Sequence, residues 1–414
     1  MKIPKCKGAR DLLPEDMARF RRIEEVFRTC CSQWGYKEIR TPTLEYLHLF
    51  TSAGTLTPNM LSRVYSFLDW DGWSGERVVL RPEGTIPSAR LYVENLSHLP
   101  VARLFYVENM FVFEGTGQES RERWQCGVEL IGATEPEGDA ELILLALEIL
   151  KKLGIEPLNV RLSHVGLLKD LLGRVGVRGD EQAEMLREIL GGNMENLSQG
   201  WPAEFKEFLR LLLSLKGNSL GALENLKGIL PSGLLELKSY LDNLSKLVEL
   251  LNSGREHYQI DFASSIGFEY YTGVVFQLEG PNGILGKGGR YDELIPLIGG
   301  GKIPASGFAL YLDQFMRLVK EVKPSPSEKI GLKWKLPEVK EMKSAFELAS
   351  LLRSEGYIVE LEMGQQAMPD CRWLISLNQK EGSLSLDLID QASGMEQKGL
   401  SFTEVLQKLK EARR

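Results

Sequence analysis

Apolar and aromatic residues at Met17, Phe20, Ile23, Val26, Phe27 and Cys30 recur with a helical period, and Gly35 follows as a stop, so an amphipathic helix is predicted over 17–36. The next stretch, YKEIRTPTLEYLHLF, loses that period. It reads as an extended segment ending at Thr41-Pro42, because the residue before a proline is pushed out of the helical region. RVVLRPEGT at 77–85 reads as a buried strand running into a turn. Between Leu104 and Gly132 two aromatic-rich runs, LFYVENMFVFE and RWQCGVELIG, flank the polar GTGQES, the pattern of an antiparallel hairpin. Leu142, Leu145, Ile149, Leu150 and Leu153 then line one face of a helix over 139–153, with Asp139 as candidate cap and Gly154 as stop. A second strand pair, HYQIDFAS and GVVFQLEG, brackets the turn IGFEYYT.

Residues 166–255 are leucine-rich at helical spacing and poor in β-branched residues, which predicts an inserted helical subdomain. SGFALYLDQFMRLVKEV reads as strand then helix, and KPSPSEK near 323–329 as a linker. Beyond it FELASLLRSEG, YIVELEM, CRWLISL and FTEVLQKLKEA alternate helix and strand. The expected organisation is a core over 1–322 carrying the insertion, followed by a small α/β domain over 330–414.

Composition adds exclusions. A chain of 414 residues exceeds what one core usually supports, which fits two or three domains. No stretch approaches the roughly 18 apolar residues of a membrane span. The start, MKIPKCKGARDLLPEDM, lacks a signal-peptide core, so a soluble cytoplasmic protein is expected. Five cysteines without CxxC spacing and four scattered histidines indicate neither a zinc site nor a disulfide framework, and no metal or other cofactor is expected. A net charge of −7 argues against a broad nucleic-acid footprint.

Several segments, in order, resemble those of histidyl-tRNA synthetases and their paralogues. GARDLLP at 8–14 resembles the family's opening segment, and GYKEIRTPTLE at 35–45 the dimer-forming first motif of class II synthetases, with Pro42 in the proline position. LRPEGT at 80–85 is similar to the amino-acid-binding turn, and RERWQCGVELIG at 121–132 to the second half of motif two. IGFEYYTGVVF at 266–276 and GKGGRYDEL at 286–294 resemble the two histidine-specific motifs, and SGFALYLDQF at 306–315 stands in the place of motif three. The resemblance covers 8–320 and, in degenerate form, the anticodon-binding domain over 330–414. It implies an α+β fold: a class II synthetase-like antiparallel sheet core with a helical insertion, plus the C-terminal α/β domain.

A pocket for free histidine needs acceptors for the α-ammonium and partners for both ring nitrogens. By the resemblance, Glu83 and Gln125 match the family's α-amino contacts, Thr85 lies in the same turn, and Glu129 with Tyr271 matches the groups that read the ring, Tyr270 standing beside them. Gln125 and Glu129 are four apart, so on a strand they share a face. The competing structural reading has Glu83 capping a turn and Tyr270 and Tyr271 packing a core. For Arg121, Arg123 and Arg290, structural ion pairs are the favoured role.

The resemblance also exposes a loss. Where the family places three arginines on the α-phosphate during adenylate formation, this chain reads Val112, Ile266 and Gln314. One preorganised contact to a developing oxyanion is worth about 10²–10³ in rate, so losing three leaves no amino-acid activation to expect. A synthetase-like core that keeps the amino-acid turn without those arginines is similar to the regulatory subunits of ATP phosphoribosyltransferase, and TIPSARL and QCGVELIG resemble them too. That resemblance implies a non-catalytic subunit, a short catalytic subunit as partner, a homodimer, histidine as feedback ligand, and no tRNA or membrane partner. Two other readings stay open on sequence: a histidyl-tRNA synthetase with a degenerate ATP site, and a synthetase-like amino-acid sensor.

Overall fold

The computed structural model describes residues 3–413 except 54–60, 71–74, 115–119, 157, 191–199, 219, 254–255, 265–270, 320–328, 335–338, 363–370 and 381–382. The chain divides into two compact units, Met1–Val322 and Lys323–Arg414. Each has its own buried apolar cluster.

The first unit is built on a nine-stranded sheet. Its strands in chain order are β1 (Lys37–Glu38), β5 (Ala102–Phe111), β6 (Glu122–Ile131), β7 (Asn159–His164), β8 (Lys216–Gly217), β9 (Tyr258–Asp261), β10 (Val274–Gly280), β11 (Gly283–Arg290) and β12 (Ala305–Tyr311). They lie in the order β1-β5-β6-β12-β11-β10-β7-β9-β8. The pairings β1/β5 and β7/β9 are parallel, and the others are antiparallel. A smaller sheet holds β2 (Leu44–Tyr46), β3 (Ser66–Trp70) and β4 (Gly75–Leu80), with β4 in the middle.

Parity along β5 and β6 decides which residues face the core. Trp124 turns to helix α1 (Pro14–Gln33), where its ring meets Phe20 edge-on at 4.9 Å. Phe105 on β5 meets Phe27 of the same helix at 5.8 Å. The alternate residues, Gln125 and Tyr106 among them, therefore face the other side. α1 begins at Pro14, whose missing N–H costs nothing in the first turn, and ends before Gly35 at φ +84°.

Several expectations change. The predicted 139–153 helix runs from Glu137 to Lys152 (α4), so Asp139 is inside it and does not cap it. Asp139 is buried and bonds the Arg290 guanidinium at 2.8 Å, an ion pair between two elements. YKEIRTPTLEYLHLF is two short strands, β1 and β2, with LHLF opening helix α2 (Leu47–Ser52). The strand pair expected around IGFEYYT is not a pair, because β7 lies between β9 and β10. Neither β7 nor β11 was predicted: NVRLSH is short and polar, and the glycines of β11 mimic a turn.

The insertion contains helices α5 (Val165–Arg174), α6 (Asp180–Leu190), α7 (Ala203–Ser214), α8 (Leu220–Gly228) and α9 (Lys238–Ser253), with leucines filling its core. It also lends β8 to the edge of the main sheet. In the second unit a five-stranded mixed sheet packs with Val339–Ser354 and Phe402–Arg413, and Lys329–Trp334, Ser383–Asp390 and Met395–Leu400 add strands beyond those predicted. Four of the five cysteines are buried and all five are free thiols.

Candidate functional site

On the face of the main sheet away from α1, register brings four strands' residues into rows. Glu129 on β6 lies opposite Gly307 on β12, which lies opposite Gly289 on β11. One step along, Tyr106, Gly127, Ala309 and Lys287 form the next row across β5, β6, β12 and β11. The third row holds Glu108, Gln125 and Tyr311. The floor of this region is glycine and alanine, and the Tyr106, Glu129 and Tyr271 side chains lie directly over its glycines.

Two of those glycines are steric requirements. A β-carbon on Gly127 would lie 2.0 Å from the Tyr106 ring, and one on Gly307 would lie 2.3 Å from a Glu129 carboxylate oxygen. Tyr106 and Glu129 occupy the space those side chains would take.

Glu129 is 1% exposed. The Tyr291 hydroxyl donates to one of its oxygens, and the Tyr106 hydroxyl lies 3.4 Å from the other. Burial pushes its carboxyl up to about 8, against the pull of the hydrogen bonds from Tyr291, Thr85 and Tyr106. Glu83 sits in the turn before helix α3 (Thr85–Leu91) and accepts the backbone N–H groups of Thr85 and Ile86, both at 2.8 Å. Burial raises it to about 7, and the Lys287 ammonium is among the groups pulling it back down. Thr85 joins the two carboxylates, since its hydroxyl interacts with both.

The capping role of Glu83 is thus part of the structure: its two oxygens accept the Thr85 and Ile86 N–H groups, and its carboxylate also takes the Thr85 hydroxyl. Tyr271 is buried with its ring against Gly289, and Tyr311, Glu129 and Glu83 all raise its phenol by their proximity, after burial itself. Its carbonyl accepts from Lys169 of α5 at 2.9 Å. Glu83, Thr85, Gln125, Glu129 and Tyr271 therefore line one region, whereas Tyr270 and Ile266 lie outside the described residues. Tyr106, Tyr291 and Lys287 belong to the same region without having been singled out. Tyr106 could have been found by pairing the hairpin, since it falls opposite Gly127.

Around this region the cations are engaged in the fold. Arg81 is buried with Glu108 at 2.8 Å and donates to Thr41 and Asn109. Arg290 holds Asp139, Asp292 and the Ala133 carbonyl. Arg121 donates to the Glu114 carbonyl and lies over the Phe113 ring at 4.9 Å, and Arg123 donates to the Ser120 carbonyl. Val112 follows β5 and donates its N–H to the Arg121 carbonyl. Gln314 sits in helix α10 (Leu312–Leu318) beside Asp313, which pairs with Arg10. Among the described residues no group of three or more His, Cys, Asp or Glu is placed to hold a metal ion.

The sequence model of the histidyl-tRNA synthetase family matches residues 8–315. An ATP phosphoribosyltransferase regulatory subunit from Dehalococcoides mccartyi is 47% identical over 94% of this chain and 94% of its own. The chain belongs to the histidyl-tRNA synthetase family, in its branch of ATP phosphoribosyltransferase regulatory subunits. A histidine–tRNA ligase from Methanocaldococcus jannaschii is more distant, 36% identical over 87% of this chain and 86% of its own. Among solved structures, an ATP phosphoribosyltransferase regulatory subunit/histidyl-tRNA synthetase from Bacillus halodurans superposes with a TM-score of 0.75 at 28% identity, covering 89% of this chain and 95% of that one. Histidyl-tRNA synthetase from Nostoc gives the same TM-score of 0.75 at 18% identity over 99% of both chains, a likeness of fold. The regulatory-subunit branch thus shares the synthetase sheet, and in this member its face carries the buried Glu129 carboxylate over a glycine floor, with the half-buried Glu83 in the adjoining turn.

Proposed function

We propose that this chain is the regulatory partner of a short catalytic ATP phosphoribosyltransferase subunit in the cytoplasm, and that its synthetase-like pocket binds histidine as the feedback signal for the first step of histidine biosynthesis. The observation that carries the ligand is the convergence of Glu83, Gln125, Glu129 and Tyr271 over a floor of Gly127, Gly307 and Gly289. The buried Glu129 and half-buried Glu83 suit a ring N–H and an ammonium, because an ionised carboxylate in a water-poor site gains most from a charged donor.

The same geometry supports a site without amino-acid activation. By the family resemblance Val112 and Gln314 stand at two of the lost arginine positions and neither is cationic, while Arg81 pairs with Glu108, Arg10 with Asp313, and Arg121 donates to the Glu114 carbonyl. The chain also forms a homodimer in this reading, through the segment around 35–50 and the three-stranded sheet beside it, where Leu44, Tyr46, Phe67, Leu68 and Trp70 are exposed.

The test is co-expression with a short catalytic subunit, followed by assay of the purified complex with and without histidine. Glu129→Ala should leave the complex intact and raise the histidine concentration needed for inhibition about tenfold to a hundredfold, the effect of one lost charge-assisted hydrogen bond. Inhibition of the mutant complex at the parent's concentration would move the sensing site to the catalytic subunit or its interface.

A further inference from the structure

The helical insertion leaves the main sheet at the end of β7 and meets it again at Tyr271, the residue whose ring, by the family resemblance, meets the imidazole. Resting on the reading of the pocket as a histidine site, we propose that Lys169 couples the insertion to it. The lysine fixes the Tyr271 main chain in the position a bound histidine needs, and an occupied pocket in turn holds the insertion against the sheet.

Three consecutive carbonyls lead there. Helix α5 starts at Val165, directly after β7 ends, and β7 pairs with β10 so that His164 stands opposite Val274. That register lays the first turn of α5 along the residues just before β10. The Val165 N–H donates to the Gly273 carbonyl at 2.9 Å, and a β-carbon on Gly166 would lie 2.4 Å from the Thr272 carbonyl oxygen. One turn further on, the Lys169 ammonium donates to the Tyr271 carbonyl at 2.9 Å. Residues 165 and 169 share a helix face, so one face of α5 follows residues 271–273 carbonyl by carbonyl. From the other side β11 completes the grip. The Thr272 N–H donates to the Arg290 carbonyl at 2.7 Å, and a β-carbon on Gly289 would come within 2.8 Å of the Tyr271 ring. The contacts at Gly273 and Thr272 are made by the α5 backbone; Lys169 makes the third with a side chain, at the residue that carries the ring. Fixing the Tyr271 carbonyl restricts the backbone torsions from which that ring projects.

The same residue ties the insertion together. The Gln182 side-chain amide of α6 donates to the Lys169 carbonyl at 2.7 Å. Next to it, Asp170 accepts the Tyr240 hydroxyl of α9 at 2.7 Å, and the Tyr240 ring packs on His164, whose Nδ1 accepts the Leu167 N–H and so caps α5. A shift of α5 against the sheet therefore carries α6 and α9 with it. The Lys169 side chain is half-buried, and a charged donor that loses its acceptor there goes without part of its hydration. Coupling is reciprocal: whatever the Lys169 contact adds to histidine affinity, bound histidine adds to the docking of the insertion.

The experiment is calorimetric titration of the full-length protein with histidine, alone and in the complex, together with hydrogen exchange at saturating histidine. In the parent, saturation should slow exchange in α5 and α6 more than in α1, which packs on the opposite face of the sheet. Lys169→Met keeps the stem and removes the ammonium. It should weaken histidine by about fivefold to a hundredfold, the ordinary size of a coupling between sites, and abolish the extra protection even when the pocket is full. Lys169→Arg keeps a donor and should retain both. A lysine that only supports the fold would lower the melting temperature of the ligand-free protein and leave the histidine-dependent protection in place. Histidine bound by Lys169→Met as tightly as by the parent, α5 protection that survives in that variant, or a parent whose α5 is slowed no more than α1 overturns the coupling and leaves the histidine pocket standing. A parent protein that binds no histidine overturns the pocket, and the coupling with it.

Discussion

At the scale of single residues, Glu129 carries most of the chemistry. Its carboxyl is raised from 4.5 to about 8 by burial, so the ligand-free fold holds this proton more tightly than the unfolded chain does. The stability it contributes is full below the ordinary carboxylate range and is lost as pH rises toward 8. Each unit in that interval corresponds to about 1.4 kcal/mol. Glu129→Gln, which mimics the protonated form, should therefore have a melting temperature that declines less between pH 5 and pH 8 than the parent's. Parallel curves from scanning calorimetry would mean that the Tyr291 and Tyr106 hydroxyls keep the carboxylate ionised. Gly127 offers a steric test: Gly127→Ala drives a methyl into the Tyr106 ring and should cost about 1–3 kcal/mol in urea unfolding.

Between elements, the Arg290–Asp139 pair ties β11 to α4 from within the core. Burial works against the Arg290 charge, but the flanking Asp139 and Asp292 carboxylates outweigh it and raise its pKa. Removing one partner strands the other: Asp139→Ala should destabilise the first unit by about 3–5 kcal/mol, whereas replacing both partners with apolar residues should recover much of that loss. A double-mutant cycle by chemical denaturation reads this directly. The small sheet makes a different prediction. Its exposed Leu44, Tyr46 and Trp70 are the apolar surface expected at a dimer contact, so Leu44→Asp should shift sedimentation at micromolar concentration from dimer toward monomer. A parent protein that sediments as a monomer would rule out the homodimer.

For the whole molecule, the question is whether a synthetase architecture retains synthetase chemistry. We expect no pyrophosphate exchange with histidine and ATP, and no recovery on restoring one cation by Ile266→Arg, because charges that act together on one transition state do not return one at a time. Activity from that single change would show an otherwise intact ATP site.

Helical and hairpin periodicity determined much of this molecule by itself. α1, the β5–β6 hairpin and the leucine-packed insertion follow from spacing, since those segments bury one face against local neighbours. The sharing of a face by Gln125 and Glu129 follows from strand parity alone. Tertiary structure decided what depends on partners distant in sequence. β11 looks like a glycine turn until β10 and β12 pair with it on either side. Asp139 looks like a cap until Arg290, 151 residues away, reaches it. Lys287 and Tyr106 enter the site only through cross-strand register, because a chain states which side of its own strand a residue takes, and not which residues of other strands will stand beside it.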